Sequence, residues 1–496
     1  MGFKEDADFA RFLSMGAIGT AAVAEHLGSD LQHAPVELER YAMANKVWQT
    51  KVKRFRLPDL VCTRCGIRVE SRAKSALSLV LSHSDTPGRE WDGGGMRDHD
   101  LFAFVRVQLG SSPPRAGMPA YFETSALRRT VDVALPSSRK AASEGSEMTL
   151  KWPSWVPGRS GRVTGIDADG RIVCQWDDGR TYRYGQWRKW RVRGKLYVDE
   201  GGHFTGGGTL VAGVVEEPST LSCPGDTWDL TTSMQALDET ERYAAVKVAG
   251  LLGRHDLAAL IASVAQSDDW RLRLEAYGSL ARLEPDPWTD RIVDIAVGAA
   301  VEPEQRIEAV FLLSEIPHPA ATTALGAVAA SRALDSELRA AAAWGLGQGA
   351  APSVGLLLPL VSDDDPLVAL HAITAIDQIA DDEASELRGW LGAEARVAAS
   401  AARVLQRLGR VEELLDACET GGSQRLWALR ALGDLPPDEV RERAGRRLTD
   451  ELLELLAPLW AGQGDWLRSE DGRAGLDSLD VQKVRTNPGT PWTSNR

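Results

Sequence analysis

Pro58-Asp59-Leu60-Val61-Cys62-Thr63-Arg64-Cys65-Gly66-Ile67-Arg68-Val69-Glu70-Ser71-Arg72-Ala73-Lys74 reads as a short hairpin with one acid on each strand. A strand over Ile67 to Lys74 alternates with period 2. That puts Arg68, Glu70, Arg72 and Lys74 on one face and turns Ile67, Val69 and Ala73 toward a core. Asp59 stands at the start of the partner strand. Two close carboxylates beside a lysine can hold Mg²⁺ or Mn²⁺ and position a water, so Asp59 and Glu70 are the expected metal ligands.

These residues resemble the PD-(D/E)XK nuclease superfamily, whose pattern is Pro-Asp on one strand and an acid, one residue and Lys on the next. Pro58-Asp59 and Glu70 match. The Lys position holds Arg72, and Lys74 lies one pleat further on the same face. A guanidinium stays protonated near neutral pH and cannot act as a base, which leaves Lys74 to place the water. The resemblance covers roughly the first 135 residues. It implies an α/β nuclease-like domain with a catalytic set of Asp59, Glu70, Lys74 and Arg72, a Mg²⁺ (or Mn²⁺) cofactor, and Arg68 or Arg72 against phosphate. Glu25, Glu37 and Glu39 are candidates for a further acid. Asp98 and Asp100 form another acidic pair, for which surface solvation is the simpler account. The plain alternative for the hairpin itself is a set of cross-strand charge pairs that only stabilise a sheet.

Cys62-x-x-Cys65 admits three readings. As half of a zinc site it needs two more ligands, and His83 and His99, the next histidines downstream, are the candidates. As a redox pair it wants a helix N-terminus, which a hairpin turn does not offer. The third reading, two small residues flanking a tight turn, is preferred. Five cysteines in 496 residues, an odd number, make no disulfide framework and fit a reducing compartment.

The length predicts about three domains. No apolar run is long enough for a membrane span, and the first residues lack a secretory pattern, so a cytoplasmic protein is expected. The net charge of −13 is unevenly spread, with about +3 over residues 1–233, about −15 over 234–420 and about −1 beyond.

Asp8 to Ser14 and Ala17 to Leu27 read as helices, Leu101 to Val107 as a buried strand, and Ala120 to Val133 as a helix. Lys51, Lys53, Arg54 and Arg56 form a basic run ahead of Pro58. Residues 136–148 are rich in Ser, Ala and charge and read as a linker. Over 149–205 the turns Asp167-Ala168-Asp169-Gly170 and Asp177-Asp178-Gly179 separate short β-branched and aromatic runs, a meander that resembles Tudor-like small β-barrels. Trp187 and Trp190 alternate there with Arg188, Lys189, Arg191 and Arg193. Aromatic and basic residues so interleaved suit nucleic acid through phosphate neutralisation and base stacking. Tryptophans filling a small core beside solvated cations, or an aromatic cage, are the alternatives.

From 228 to 460 the chain repeats. Ala245, Ala276, Ala309, Ala342, Ala372, Ala399 and Ala428 recur about every 30 residues, often with an Arg three residues before and an Asp-rich turn ahead of the helix. The pattern resembles HEAT-like repeats, an α-solenoid whose single units cannot bury their apolar faces alone. Residues 461–496 read as a disordered tail. The whole is expected to be a multidomain protein: nuclease-like α/β domain, small all-β barrel and C-terminal α-solenoid. The expected function is a DNA endonuclease or nuclease-like component of a restriction or antiviral defence system, with RNA left open as a substrate, Lys51, Lys53 and Arg68 adding phosphate contacts, and a protein partner on the acidic solenoid. The alternatives are a non-catalytic nucleic-acid-binding adaptor and a purely protein-binding scaffold.

Overall fold

The computed structural model describes residues 3–39, 48–50, 52–84, 86, 90–93, 95–109, 114–142, 145–185, 194–349 and 353–461. The chain divides into two units, Met1–Glu284 and Pro285–Arg496.

The first unit begins with a single helix, α1 (Phe3–Ser29), where the sequence pattern suggests two. Strands β1 (Pro35–Glu37), β2 (Leu60–Cys62) and β3 (Arg68–Lys74) follow as an antiparallel meander. After β4 (Val80–Ser84), β5 (Leu101–Gln108) pairs parallel to β3, from Val69 opposite Leu101 to Lys74 opposite Arg106. The short β6 (Arg115–Ala116) and β7 (Ala120–Glu123) flank β5 and complete a six-stranded sheet. Helix α2 (Thr124–Arg129) leads off β7, so only part of the helix expected over 120–133 forms.

The pleat of β3 and β5 separates two cores. Val69, Leu101, Ala103, Val105 and Val107 pack with Val23 and Leu27 of α1, as the alternation of β3 predicts. On the opposite face, Phe102, Phe104 and Phe122 join Trp91, Trp152 and Leu127. Residues 136–148 are not a linker. They carry β8 (Leu135–Pro136), β9 (Lys140–Ala142) and most of β10 (Gly145–Lys151), and β10 pairs with β4 over five residue pairs from Glu147–Ser84 to Lys151–Val80. Hydrogen bonding to a distant strand overrides a composition that, taken locally, reads as loop.

Beyond β11 (Ser154–Trp155), strands β12 (Gly161–Ile166), β13 (Ile172–Trp176) and β14 (Thr181–Tyr184) form the expected meander. Gly170 and Gly179 take positive φ, 71° and 83°, in its two Asp-Gly turns. The segments β15 (Lys195–Leu196), β16 (His203–Phe204) and β17 (Ala212–Gly213) complete a four-stranded and a three-stranded sheet. Their shared core holds Trp155, Val163, Ile172, Tyr184, Phe204 and Val211, with the Trp155 ring stacked 4.2 Å from that of Tyr184. Trp152 and Trp155 are therefore core residues.

The first unit ends in four helices, α3 (Leu230–Met234), α4 (Glu239–Leu251), α5 (Ala258–Val264) and α6 (Trp270–Leu283). The second unit holds twelve helices among the described residues. They include α7 (Pro285–Val297), α8 (Pro303–Ser314), α9 (Pro319–Ala330), α10 (Ser336–Leu346), α11 (Val354–Val361) and α12 (Pro366–Ala375). Alternate helices pack on one another, as α4 does on α6 and α8 on α10 and α10 on α12. This is the stacking of a helical solenoid. Ala245, Ala276, Ala309, Ala342, Ala372 and Ala428 are fully buried; at the sixth position Ala398 takes the buried place beside Ala399.

Two of the recurrent arginines share a task. Arg306 donates to the Ala296 carbonyl at 3.1 Å and Arg339 to the Ala329 carbonyl at 2.9 Å, ten residues back in both cases. Each satisfies a carbonyl in the last turn of the preceding helix, a group with no partner inside that helix. Arg273 instead donates to the Ser267 carbonyl at 2.6 Å, in the turn between α5 and α6. The Asp turns cap the next helices: Asp269 accepts from the Arg271 and Leu272 amides, Asp365 from those of Leu367 and Val368.

Arg339 also pairs with Asp363, both nearly buried at 6% and 8% exposure. Arg339→Ala would strand a buried carboxylate as well as a helix-end carbonyl. A loss of about 3–5 kcal/mol in urea unfolding of the second unit is expected. Arg332→Ala removes an exposed partner of Asp364 and should leave the unfolding midpoint unmoved. Equal midpoints for the two variants would refute this role for Arg339.

Candidate functional site

The antiparallel register of β2 on β3 pairs Leu60 with Val69, which sets Asp59 across from Glu70 on the face away from α1. The Asp59 carboxylate accepts the Ser71 amide at 2.7 Å. Glu70 is 16% exposed and forms an ion pair with Arg72 at 2.5 Å. Burial and the neighbouring Glu70 raise Asp59 to about 8, against the opposing pull of Arg72 and the Ser71 amide, and Glu39 adds a smaller push. Lys74 follows on the same face, held below its ordinary range by burial and then by Arg72. Asp59, Glu70, Arg72 and Lys74 are thus brought together, in the order along the face that the alternation predicts. Two carboxylates that resist joint ionisation suit a hard divalent cation, which would replace the proton on Asp59.

Other expected residues lie elsewhere. Arg68 is not a phosphate contact: at 1% exposure it donates to the Gly95 carbonyl at 2.6 Å and pairs with Glu241 of α4. Its amide donates to Asp100, which is wholly buried and also takes Arg97 at 2.9 Å, so Asp100 is a structural hub rather than a solvated acid. Glu25 is exposed on α1, the helix that covers the opposite face of the sheet, and cannot join Asp59. Lys53 is exposed. Lys51, Trp187, Arg188, Lys189, Trp190, Arg191 and Arg193 lie outside the described residues.

The zinc ligands proposed from sequence proximity are also displaced. His83 accepts the Trp91 amide at 3.3 Å, and His99 is 65% exposed beside Asp100. Cys62 and Cys65 instead meet His33 and Cys223, which sequence reasoning missed. The Cys62 thiol is lowered to about 3, chiefly by its hydrogen bond with Cys65 and, against the cost of burial, by His33 and the Ala34 amide. Gly66 follows at φ 73°, a left-handed turn residue directly after the second Cys. A C-x-x-C-G hairpin was the available signal.

No protein-family model matches the chain, and no curated protein matches it by sequence. Among solved structures, the chain is similar to YibA of Escherichia coli, at 17% identity over 47% of this chain and 89% of that one, with a TM-score of 0.26. It is likewise similar to the complex of CpcE and CpcF of phycocyanin lyase from a Nostoc species, at 18% identity over 45% of this chain and 94% of that one, with a TM-score of 0.21. The helical-repeat assignment rests on the helix packing described above.

Asp59 supplies a pH test. Its native value near 8 exceeds its ordinary 3.8, so its contribution to stability is complete below about pH 3.8 and is lost as pH rises through about 8. Without added divalent cation, Asp59→Asn should gain on the wild type by on the order of 2 kcal/mol between pH 6 and 9 in urea unfolding. Parallel pH profiles would show that Asp59 ionises normally.

Proposed function

We propose that the N-terminal module hydrolyses phosphodiester bonds of nucleic acid with a divalent cation held by Asp59 and Glu70, and that the solenoid docks a protein partner. The observation that carries this reading is the cross-strand placement of Asp59 and Glu70, with Asp59 raised to about 8 beside it. Topology adds support. A helix, three antiparallel strands and a fourth strand parallel to the third is the order in which β2 and β3 would present such acids at one place.

The bound cation would polarise a phosphoryl oxygen and lower the pKa of an attacking water. Arg72 anchors Glu70 and adds positive charge for the phosphate. Lys74, already pushed below its ordinary value, is better suited than Arg72 to orient the water and take its proton. A second reading, a non-catalytic adaptor, is favoured by one contact. The Arg72–Glu70 pair occupies a carboxylate the cation needs.

Purified full-length chain incubated with plasmid, single-stranded DNA and RNA in Mg²⁺ or Mn²⁺ separates the two. The nuclease reading expects cleavage that falls by about 100-fold or more in Asp59→Asn and Glu70→Gln. Lys74→Ala should lower the rate and shift its pH optimum. Wild type that binds nucleic acid but cleaves no faster than these variants would establish the adaptor instead.

A further inference from the structure

We infer that His33, Cys62, Cys65 and Cys223 form a structural zinc centre. Among the described residues this is the only group of three or more His, Cys, Asp or Glu donors that converges, with its four ligand atoms all within 4.8 Å of one another. Donors at zinc-bond length in a tetrahedron lie about 3.8 Å apart for sulfur to sulfur and about 3.6 Å for nitrogen to sulfur. Cys62 Sγ and Cys223 Sγ are 3.9 Å apart, and Cys65 Sγ is 3.5 Å from His33 Nδ1. A disulfide would need about 2.05 Å, and all five cysteines are free.

The surroundings are those of a metal site. His33 Nε2 lies 2.8 Å from the Leu221 carbonyl. A carbonyl only accepts, so Nε2 carries the hydrogen and the Nδ1 lone pair faces the three sulfurs. A ligating histidine characteristically donates its other ring nitrogen in this way. The Ala34 amide points at Cys62 Sγ from 3.4 Å, which favours a thiolate there. Three sulfurs and one nitrogen close a four-coordinate shell with no position left for substrate, the character of a structural rather than a catalytic zinc.

The centre would join three distant segments. His33 follows α1, Cys62 and Cys65 sit on the β2–β3 hairpin, and Cys223 lies 161 residues beyond Cys62. Around it, Arg64 pairs with Asp226 at 3.0 Å, its carbonyl accepts the Trp228 amide at 3.0 Å, and a side chain at Gly66 would strike the Trp228 ring at 2.7 Å. The Cys223 amide donates to Leu31 at 2.9 Å. Zinc binding would therefore fix the hairpin that carries Asp59 and Glu70 against the segment that leads into α3. Because such a shell does not form in an unfolded chain, the free energy of binding would add to that of folding.

Elemental analysis of the full chain, purified without chelator, tests this independently of any activity. One zinc per chain is expected, released as thiols are titrated with a mercurial. Cys223→Ser and His33→Ala should hold at least about ten-fold less zinc, whereas Cys174→Ser and Cys418→Ser, both remote from the cluster, should keep it. Should a ligand variant fail to fold, cobalt exchanged into the wild type decides: thiolate-to-cobalt absorption with tetrahedral visible bands supports the centre. Metal-free wild type with freely reacting Cys62, Cys65 and Cys223, a disulfide among them, or iron in place of zinc would each overturn it.

Discussion

Strand β3 must satisfy two environments at once, and the architecture of the first unit follows from that demand. Its Val69 and Ala73 side chains are needed by the core under α1, so the pleat forces Arg68, Glu70, Arg72 and Lys74 to the other face. That face is not open solvent. Phe102 and Phe104 of β5, in register with Glu70 and Arg72, belong to the aromatic core. Charged side chains on such a surface must find partners or shed charge. Arg68 finds Glu241, Glu70 finds Arg72, and Asp59 keeps a proton.

The same strand shows what the sequence makes legible. Alternation by two is a local property, so the faces of β3 follow from the order of residues alone, whereas the opposition of Asp59 and Glu70 is set by the register of β2 on β3. The burial of Arg68 does not, because its partners Gly95 and Glu241 are 27 and 173 residues away. Cys223, 161 residues beyond Cys62, was hidden for the same reason, and His33 was passed over because it lies upstream of the hairpin. Reading downstream of the hairpin pointed to His83 and His99, yet the chain brings in one residue from before the β region and one from after it. Residues 136–148 failed in the opposite sense, since their composition describes a loop and only pairing with β4 makes them strands.

The helical repeats were legible because one helix pair is nearly the same problem solved many times. Small residues recur where α4 meets α6 and α8 meets α10, and each Asp recurs at a helix start. The Arg was visible as a pattern whose purpose was not. Geometry supplies it at Arg306 and Arg339: a side chain long enough to reach the last turn of the previous helix satisfies a carbonyl that would otherwise lack a partner.

This use of arginine bears on charge. Residues 234–420 carry about −15, yet several of their cations point inward to backbone carbonyls. Arg339 is 6% exposed and cannot offer its guanidinium to a phosphate. Of the acids at helix starts, Asp335 is 56% exposed and Asp364 69%, whereas Asp269 is 14% exposed. Buried acids, Glu275, Glu308 and Asp363, offset the buried cations Lys247 and Arg339, so the surface of this stretch keeps nearly all of its acidic excess. Such a field would repel a nucleic-acid backbone from the repeats.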